Sequence, residues 1–249
     1  MTALVYPEFG GRVGSLAVRG HEMFVTGDAT KDPLSWGCYP MVPYAGRVRD
    51  ALLNFGDRQF TLRKNVPPHS IHGTVFDRTW KILETNSTSV LLEISLGDDW
   101  PFRGTVQHRI QLSDSNLKMQ LSVNARDVMP VQIGWHPWFV KPQSTSLQFG
   151  AMLQRDKSGI ATEVQIRPPT TPVDDCFINP DELLTITIGN AQLTLLSDCS
   201  HWVIYDIPTE ATCIEPQSGP PNGINDDPLI LHASGTLTRI FTIEVQECT

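Results

Sequence analysis

The 249-residue sequence has no cluster of basic residues and no long apolar run. Lys and Arg total 19 against 27 Asp and Glu, so the formal net charge is −8. Because contacts to nucleic-acid phosphates need clustered positive charge, nucleic-acid binding is disfavoured. No run approaches the roughly 18 apolar residues of a bilayer span, and the first ten residues lack the basic start and apolar stretch of a signal peptide. We therefore expect a cytoplasmic protein that binds neither nucleic acid nor membrane.

Closely spaced cysteine pairs are also missing. The five cysteines are an odd number at wide spacings, without a C-x-x-C pair. This pattern is typical of buried free thiols in a reducing compartment, and it disfavours a disulfide framework, a structural zinc site or a cysteine nucleophile. The cysteines are Cys38, Cys176, Cys199, Cys213 and Cys248.

Helical periodicity does not persist over ten residues anywhere, and prolines interrupt most candidate helices, so we expect only short ones. Apolar residues instead alternate with polar ones over 106–112 and 117–123, which predicts a hairpin with one buried face. The same pattern flanks a Gly-Asn turn at 189–190, and 237–245 predicts a last strand. No linker, repeat or composition shift divides the chain. The sequence predicts one all-β domain over residues 1–249, a large antiparallel sandwich or barrel.

Three segments rich in polar, aromatic, Pro and Gly residues interrupt the alternation, at 67–73, 134–139 and 213–222. They contain His69, His72, His136 and Glu215, which are residue types that bind zinc or iron. However, the H-x-x-H pair lies between prolines and lacks a helix that would place both rings on one face. We therefore expect no metal and no other cofactor.

A carboxylate and an imidazole can instead act as a general acid–base pair on a sugar hemiacetal. Glu215 and His136 are of the required types, and Trp138 beside His136 offers a flat face to the C–H groups of a pyranose. An aromatic-rich strand histidine is also common in protein cores, so the residues alone leave both interpretations open. Further donors and acceptors for sugar hydroxyls are Arg47, His72, Asp174 and Gln217.

A series of short motifs runs along the middle of the chain. In order they are PYAGRV at 43–48, Asn65, SIHG at 70–73, Trp80, WPF at 100–102, GWHPWF at 134–139, VDDCF at 173–177 and IEPQSG at 214–219. Taken in this order, they resemble the motifs of the aldose 1-epimerase (galactose mutarotase) family. The resemblance covers roughly residues 40 to 225.

The resemblance implies the large antiparallel β-supersandwich of that family and a cofactor-independent interconversion of the α and β anomers of a free hexose. It implies that His136 is the general acid and Glu215 the general base. It also implies that Arg47, His72 and Asp174 bind sugar hydroxyls, so the expected partner is a small-molecule sugar.

Three alternatives stay open. Asp175 adjoins Asp174, and a slip of one residue would exchange their roles. A hexose-6-phosphate 1-epimerase of the same fold would need cations near the pocket, although the net charge of −8 does not attract a dianion. A sugar-binding module without catalysis would need neither a matched acid nor a matched base. Candidate phosphate ligands are Arg47, Arg49, Arg78 and Arg103.

Overall fold

The computed structural model describes residues 1–168 and 173–247. These residues form 24 β-strands and only three short helical segments. The strands are β1 Thr2–Tyr6, β2 Arg12–Val18, β3 His21–Glu22, β4 Cys38–Met41, β5 Arg47–Val48, β6 Leu52–Phe55, β7 Arg58–Thr61, β8 Ser70–Ile71, β9 Lys81–Thr85, β10 Ser89–Ser95, β11 Gly104–Leu112 and β12 Asn116–Ala125. They continue as β13 Met129–Val131, β14 Gly134–Val140, β15 Ser144–Ser146, β16 Phe149–Arg155, β17 Ala161–Ile166, β18 Asp174–Pro180, β19 Leu184–Ile188, β20 Ala191–Ser197, β21 His201–Tyr205, β22 Ala211–Gln217, β23 Leu229–Leu231 and β24 Thr236–Glu247. The helical segments are two 3₁₀ turns, Pro7–Phe9 and Arg49–Ala51, and the α-helix α1, Gly223–Asp226.

Two large antiparallel sheets make up most of the structure, which confirms the predicted all-β sandwich. One has ten strands in the order β1-β2-β4-β14-β22-β21-β18-β16-β17, with β3 paired to β2. The other has eight, in the order β15-β19-β20-β24-β12-β11-β10-β9. The two predicted hairpins are present as β11–β12 and β19–β20, and the predicted last strand is present as β24. The remaining strands form three two-stranded ribbons.

The hydrophobic core lies between the two sheets. On β12 every second side chain is buried, as its alternation predicts. Trp135 of the ten-stranded sheet packs against Phe241 of the eight-stranded sheet, with ring centroids 5.9 Å apart. Trp202 contacts the same phenylalanine ring edge-on at 6.2 Å. These aromatic contacts help to fill the core between the two sheets.

One buried histidine also joins the two sheets. His108, on β11, is fully buried, and its Nδ1 lies 3.0 Å from the carbonyl oxygen of Gly11. Its Nε2 accepts a hydrogen bond of 3.2 Å from Nε1 of Trp135. Since a carbonyl only accepts, the proton is on Nδ1, and the neutral ring satisfies both partners. Burial accordingly lowers the pKa of His108 to about 4.

Four of the five cysteines lie in the described residues, and all four are buried free thiols. Burial raises the pKa of the Cys199 thiol to about 12, and the pKa of each of the other three is also raised, so they stay protonated. Cys248 lies outside the described residues. Within the described part of the chain no helix is long and apolar enough to cross a membrane.

Candidate active site

A pocket opens on the face of the ten-stranded sheet that points away from the core. It encloses about 700 Å³, including open solvent at its mouth. Strands β14, β22, β21 and β18 form its floor, and the segments around β5, β8 and the β16–β17 turn form its walls. Its lining residues are Gly46, Arg47, Ile71, His72, His136, Arg155, Gly159, Ala161, Asp174, Asp175, Cys176, Val203, Tyr205, Glu215, Gln217 and Pro221.

Sheet register places the two proposed catalytic residues side by side. His136 lies on β14 and Glu215 on the neighbouring β22. The register pairs Gly134 with Gln217 and Trp138 with Cys213. His136 lies midway between Gly134 and Trp138, so it is directly opposite Glu215 on one face of the sheet. On the other side of β14, Tyr39 of β4 pairs with His136. Across five strands this row reads Tyr39, His136, Glu215, Val203 and Cys176.

The acid–base candidates are in direct contact. Nε2 of His136 lies 3.2 Å from Oε1 of Glu215, and both side chains are buried. The other carboxylate oxygen, Oε2, accepts a hydrogen bond of 3.1 Å from Nε2 of Gln217. Because both carboxylate oxygens have partners, the orientation of the Glu215 side chain is well defined. Oε1 of Gln217 is buried and has no hydrogen-bond partner in the described protein.

Burial moves the pKa values of this pair in opposite directions. It raises the pKa of the Glu215 carboxyl well above its usual range, and the charge of Asp174 raises this pKa further, while the hydrogen bond from Gln217 opposes the rise. Burial lowers the pKa of the His136 imidazole to about 3. In each case the charged form has lost its water. The pair is therefore most stable without net charge, with one proton in the contact between Nε2 and Oε1.

Two aromatic rings stack on the His136 imidazole. The centroid of the Tyr39 ring lies 4.9 Å from that of His136, with an angle of 20° between the planes. Trp138 stacks at 5.4 Å and 13°. Trp138 thus lies beside the pocket and is not one of its lining residues; the edge of its ring contacts Tyr205, which does line it. The stack orients Nε2 of His136 towards Glu215.

An unusual backbone conformation directs His72 into the pocket. His72 has a φ of 61° and Gly73 a φ of 83°, both in the left-handed region. A Cβ on Gly73 would lie 1.9 Å from the carbonyl oxygen of Val42, so only glycine fits there. The His72 ring meets the His136 ring edge-on, with centroids 4.8 Å apart. Burial lowers the pKa of His72 well below its usual range, and His136 and Arg47 lower it further.

The far wall of the pocket carries two guanidinium and two carboxylate groups. Nη1 of Arg155 lies 3.0 Å from Asp174, and its Nε lies 3.7 Å from Asp175. Arg47 donates a hydrogen bond of 3.4 Å to the carbonyl of Gly159 in the β16–β17 turn. Both aspartates line the pocket, but Asp174 pairs with Tyr205 in the register and so shares the sheet face of Glu215.

Several residues considered from the sequence lie away from this pocket. Nδ1 of His69 accepts a hydrogen bond from the backbone N–H of Asp50. Arg78 donates to the carbonyl of Leu96, and Arg103 forms an exposed ion pair with Asp127. Arg49, which is not among the lining residues, pairs with Asp156. Conversely, the sequence analysis missed Tyr39, Arg155 and Tyr205, which no local motif marks.

The fold and pocket together define a β-supersandwich protein of the galactose mutarotase-like class. The chain belongs to the aldose 1-epimerase family, whose sequence profile matches residues 2–221.

Proteins of several organisms resemble this chain in sequence and in fold. YihR of Escherichia coli K12, an uncharacterised protein, is 22% identical over 268 residues, covering 93% of this chain and 86% of YihR. YphB of the same strain, also uncharacterised, is 27% identical over 127 residues, which cover 48% of this chain but only 43% of YphB. A galactose mutarotase-like protein from Clostridium acetobutylicum superposes with a TM-score of 0.85 at 17% identity, covering 99% of this chain and 92% of that one. Galactose 1-epimerase from Lactobacillus acidophilus superposes with a TM-score of 0.83 at 16% identity, covering 99% and 91%.

Proposed function

We propose that this protein is an aldose 1-epimerase that interconverts the α and β anomers of a free hexose without a cofactor. The observation that carries the proposal is the buried contact of 3.2 Å between His136 Nε2 and Glu215 Oε1 at the floor of the pocket. O1 and O5 of a pyranose are both bonded to C1, so an acid and a base one hydrogen-bond length apart can reach both oxygens at once.

In this mechanism Glu215 removes the proton of the C1 hydroxyl while His136 donates a proton to the ring oxygen. The C1–O5 bond breaks and a C1 aldehyde forms. Rotation about C1–C2 presents the opposite face of the aldehyde to O5. Closure then runs the two proton transfers in reverse, with the C1–O5 bond re-formed and both residues returned to their starting state.

Burial favours the neutral forms of both residues, so the charged pair is costly to form, and the proton movement that neutralises it is favourable once it has formed. The reactive state has a charged carboxylate and a charged imidazolium, whereas after ring opening both groups are neutral. A raised pKa makes Glu215 a stronger base, and a lowered pKa makes His136 a stronger acid. The two transfers leave the total number of protons on the pair unchanged, so neither needs exchange with solvent.

Polar groups around the pair would hold the sugar hydroxyls. We assign hydroxyl binding to Arg47, His72, Asp174 and the free oxygen of Gln217, as the family resemblance and the pocket lining suggest. The ion pair with Arg155 keeps the Asp174 carboxylate oriented at the pocket wall. Trp138 would act indirectly, by supporting the His136 ring.

The charge of the pocket favours an unphosphorylated sugar. Two guanidinium groups, Arg47 and Arg155, line it together with three carboxyl groups, Glu215, Asp174 and Asp175. Since Arg155 is already paired with Asp174, the lining offers no excess of positive charge to a phosphate dianion.

The first test is Glu215→Gln, assayed for anomer exchange by polarimetry or NMR on a panel of free hexoses. The amide is nearly isosteric but cannot accept the proton, so exchange should fall by at least about 100-fold while the fold and sugar binding persist. Glu163→Gln, at an exposed position on β17, is the matched control and should behave as the wild type. Exchange within threefold of wild type in Glu215→Gln would refute the assignment. Sugar binding without exchange in the wild type would instead indicate a binding module.

A second test separates free from phosphorylated sugars. If the substrate is neutral, kcat/KM should hardly change with ionic strength, and Arg47→Ala should weaken binding of the free hexose. A steep fall in kcat/KM with salt, together with a preference for the 6-phosphate, would indicate that the protein is a hexose-6-phosphate 1-epimerase and not an epimerase of free hexoses.

A further inference from the structure

Three potential metal ligands meet at the pocket floor. Each of His72, His136 and Glu215 contributes one donor atom, and these three atoms all lie within 4.8 Å of one another. All three side chains are buried. The contact between His136 Nε2 and Glu215 Oε1 measures 3.2 Å. Tetrahedral Zn²⁺ with ligands at about 2.0–2.1 Å holds neighbouring donor atoms about 3.3 Å apart, so this edge already has the required length. Rotation of the His72 side chain has to close at most about 1.5 Å.

The surroundings of these residues suit a metal ion. Neutral imidazole is the form that binds a metal, and burial favours the neutral form of both histidines. Nδ1 of His72 is buried and has no hydrogen-bond partner in the described protein, so no contact within the protein holds the His72 ring in its present rotamer through this atom. Gln217 orients the Glu215 carboxylate from outside the cluster, as outer partners do in metal sites.

We propose that His72, His136 and Glu215 form a binding site for a divalent metal of the zinc class, and that the bound ion inhibits the enzyme. Two imidazoles and one carboxylate are a ligand set of zinc enzymes, and the pocket side leaves a fourth position for water. The ion would displace the proton shared by His136 and Glu215 into solvent and occupy the space through which the proton transfers pass. Inhibition rests on the proposed mutarotase function, whereas metal binding does not.

Metal binding is tested on chelator-treated full-length protein. Co²⁺ should give the visible absorption bands of tetrahedral coordination, and Zn²⁺ should bind at one site per chain by calorimetry, with release of a proton. His72→Gln should weaken Zn²⁺ binding by at least about tenfold and abolish the Co²⁺ bands, since loss of even an outer partner costs about 10- to 100-fold. His201→Gln, on β21 outside the pocket lining, is the matched control.

Two further measurements keep the test decisive if His72→Gln does not fold. A saturating hexose should suppress the Co²⁺ bands of the wild type, and Glu215→Gln should weaken Zn²⁺ binding as His72→Gln does. Absence of tetrahedral bands, or Zn²⁺ affinity unchanged in both variants, would overturn the metal site.

Activity measurements separate this inference from the proposed function. Zn²⁺ should inhibit anomer exchange competitively with the sugar, and a chelator should restore the full rate. Exchange that proceeds unaltered at Zn²⁺ concentrations that fill the site would overturn inhibition. If the protein binds the metal but exchanges no anomers, the metal site stands and the proposed function is refuted. If it exchanges anomers but binds no metal, the proposed function stands and the metal site is refuted.

Discussion

Acid should destabilise this protein through His108, the histidine that joins the two sheets. Its neutral ring donates to Gly11 and accepts from Trp135, so a second ring proton would face the indole N–H. The unfolded chain takes up this proton as the pH falls below about 6.5, whereas the folded protein takes it up only near its lowered pKa of about 4. Stability from this residue is therefore complete above pH 6.5 and is lost as the pH falls towards 4.

The magnitude follows from the pKa difference. A fall in pKa from 6.5 to about 4 corresponds to about 3 kcal/mol of unfolding free energy. In His108→Gln the amide offers one donor and one acceptor but does not titrate. We expect the variant to be less stable than wild type by about 1–2 kcal/mol at pH 8, because it loses the packing of the imidazole ring. At pH 4 the order should be reversed.

The assay is urea unfolding of both proteins at a series of pH values from 8 to 4. Subtracting the two curves cancels the contributions of the other titrating groups. His21→Gln, at an exposed position, is the control for the substitution itself. A gap between wild type and His108→Gln that stays constant over this pH range would refute the role assigned to the neutral ring.

Two further predictions concern the pocket. Tyr39→Leu removes one of the rings that hold His136 and should lower kcat about tenfold with little change in KM, while Tyr39→Phe should stay near wild type; equal losses would contradict the stacking role. Gly73→Ala should lower the unfolding free energy by more than about 3 kcal/mol in urea unfolding, since its Cβ meets the Val42 carbonyl. Gly20 has nearly the same φ as Gly73 but open space where a Cβ would lie, so Gly20→Ala should lower the unfolding free energy by only about 1 kcal/mol. Similar losses of unfolding free energy in the two variants would exclude the clash as the cause.

The alternation of apolar and polar residues was sufficient to predict several strands and the class of fold. The alternation is informative because adjacent side chains on a strand point to opposite faces, so the local order of apolar and polar residues indicates which face is buried. The predicted hairpins at β11–β12 and β19–β20 needed only neighbouring segments and a turn. The order of the ten strands in the larger sheet could not be predicted in this way, because β14 pairs with β22 across more than 70 residues.

The residues of the pocket, like the strands, could be predicted from the sequence only in part. The motifs around His136 and Glu215 identified two residues of matching chemistry, but only the register between their strands places them in contact. Arg155 and Tyr39 lie in segments without any motif, and they reach the site because distant strands are neighbours in the sheet.

The sequence by itself therefore determined the types of reactive side chain and the strands that carry them. Only the tertiary structure decided which side chains are in contact, that Asp174 lies on the same sheet face as Glu215, and in which direction burial shifts the pKa of Glu215. The physical reason is that strand alternation depends on local chain geometry. Strand pairing and desolvation, in contrast, depend on contacts between residues far apart in the chain.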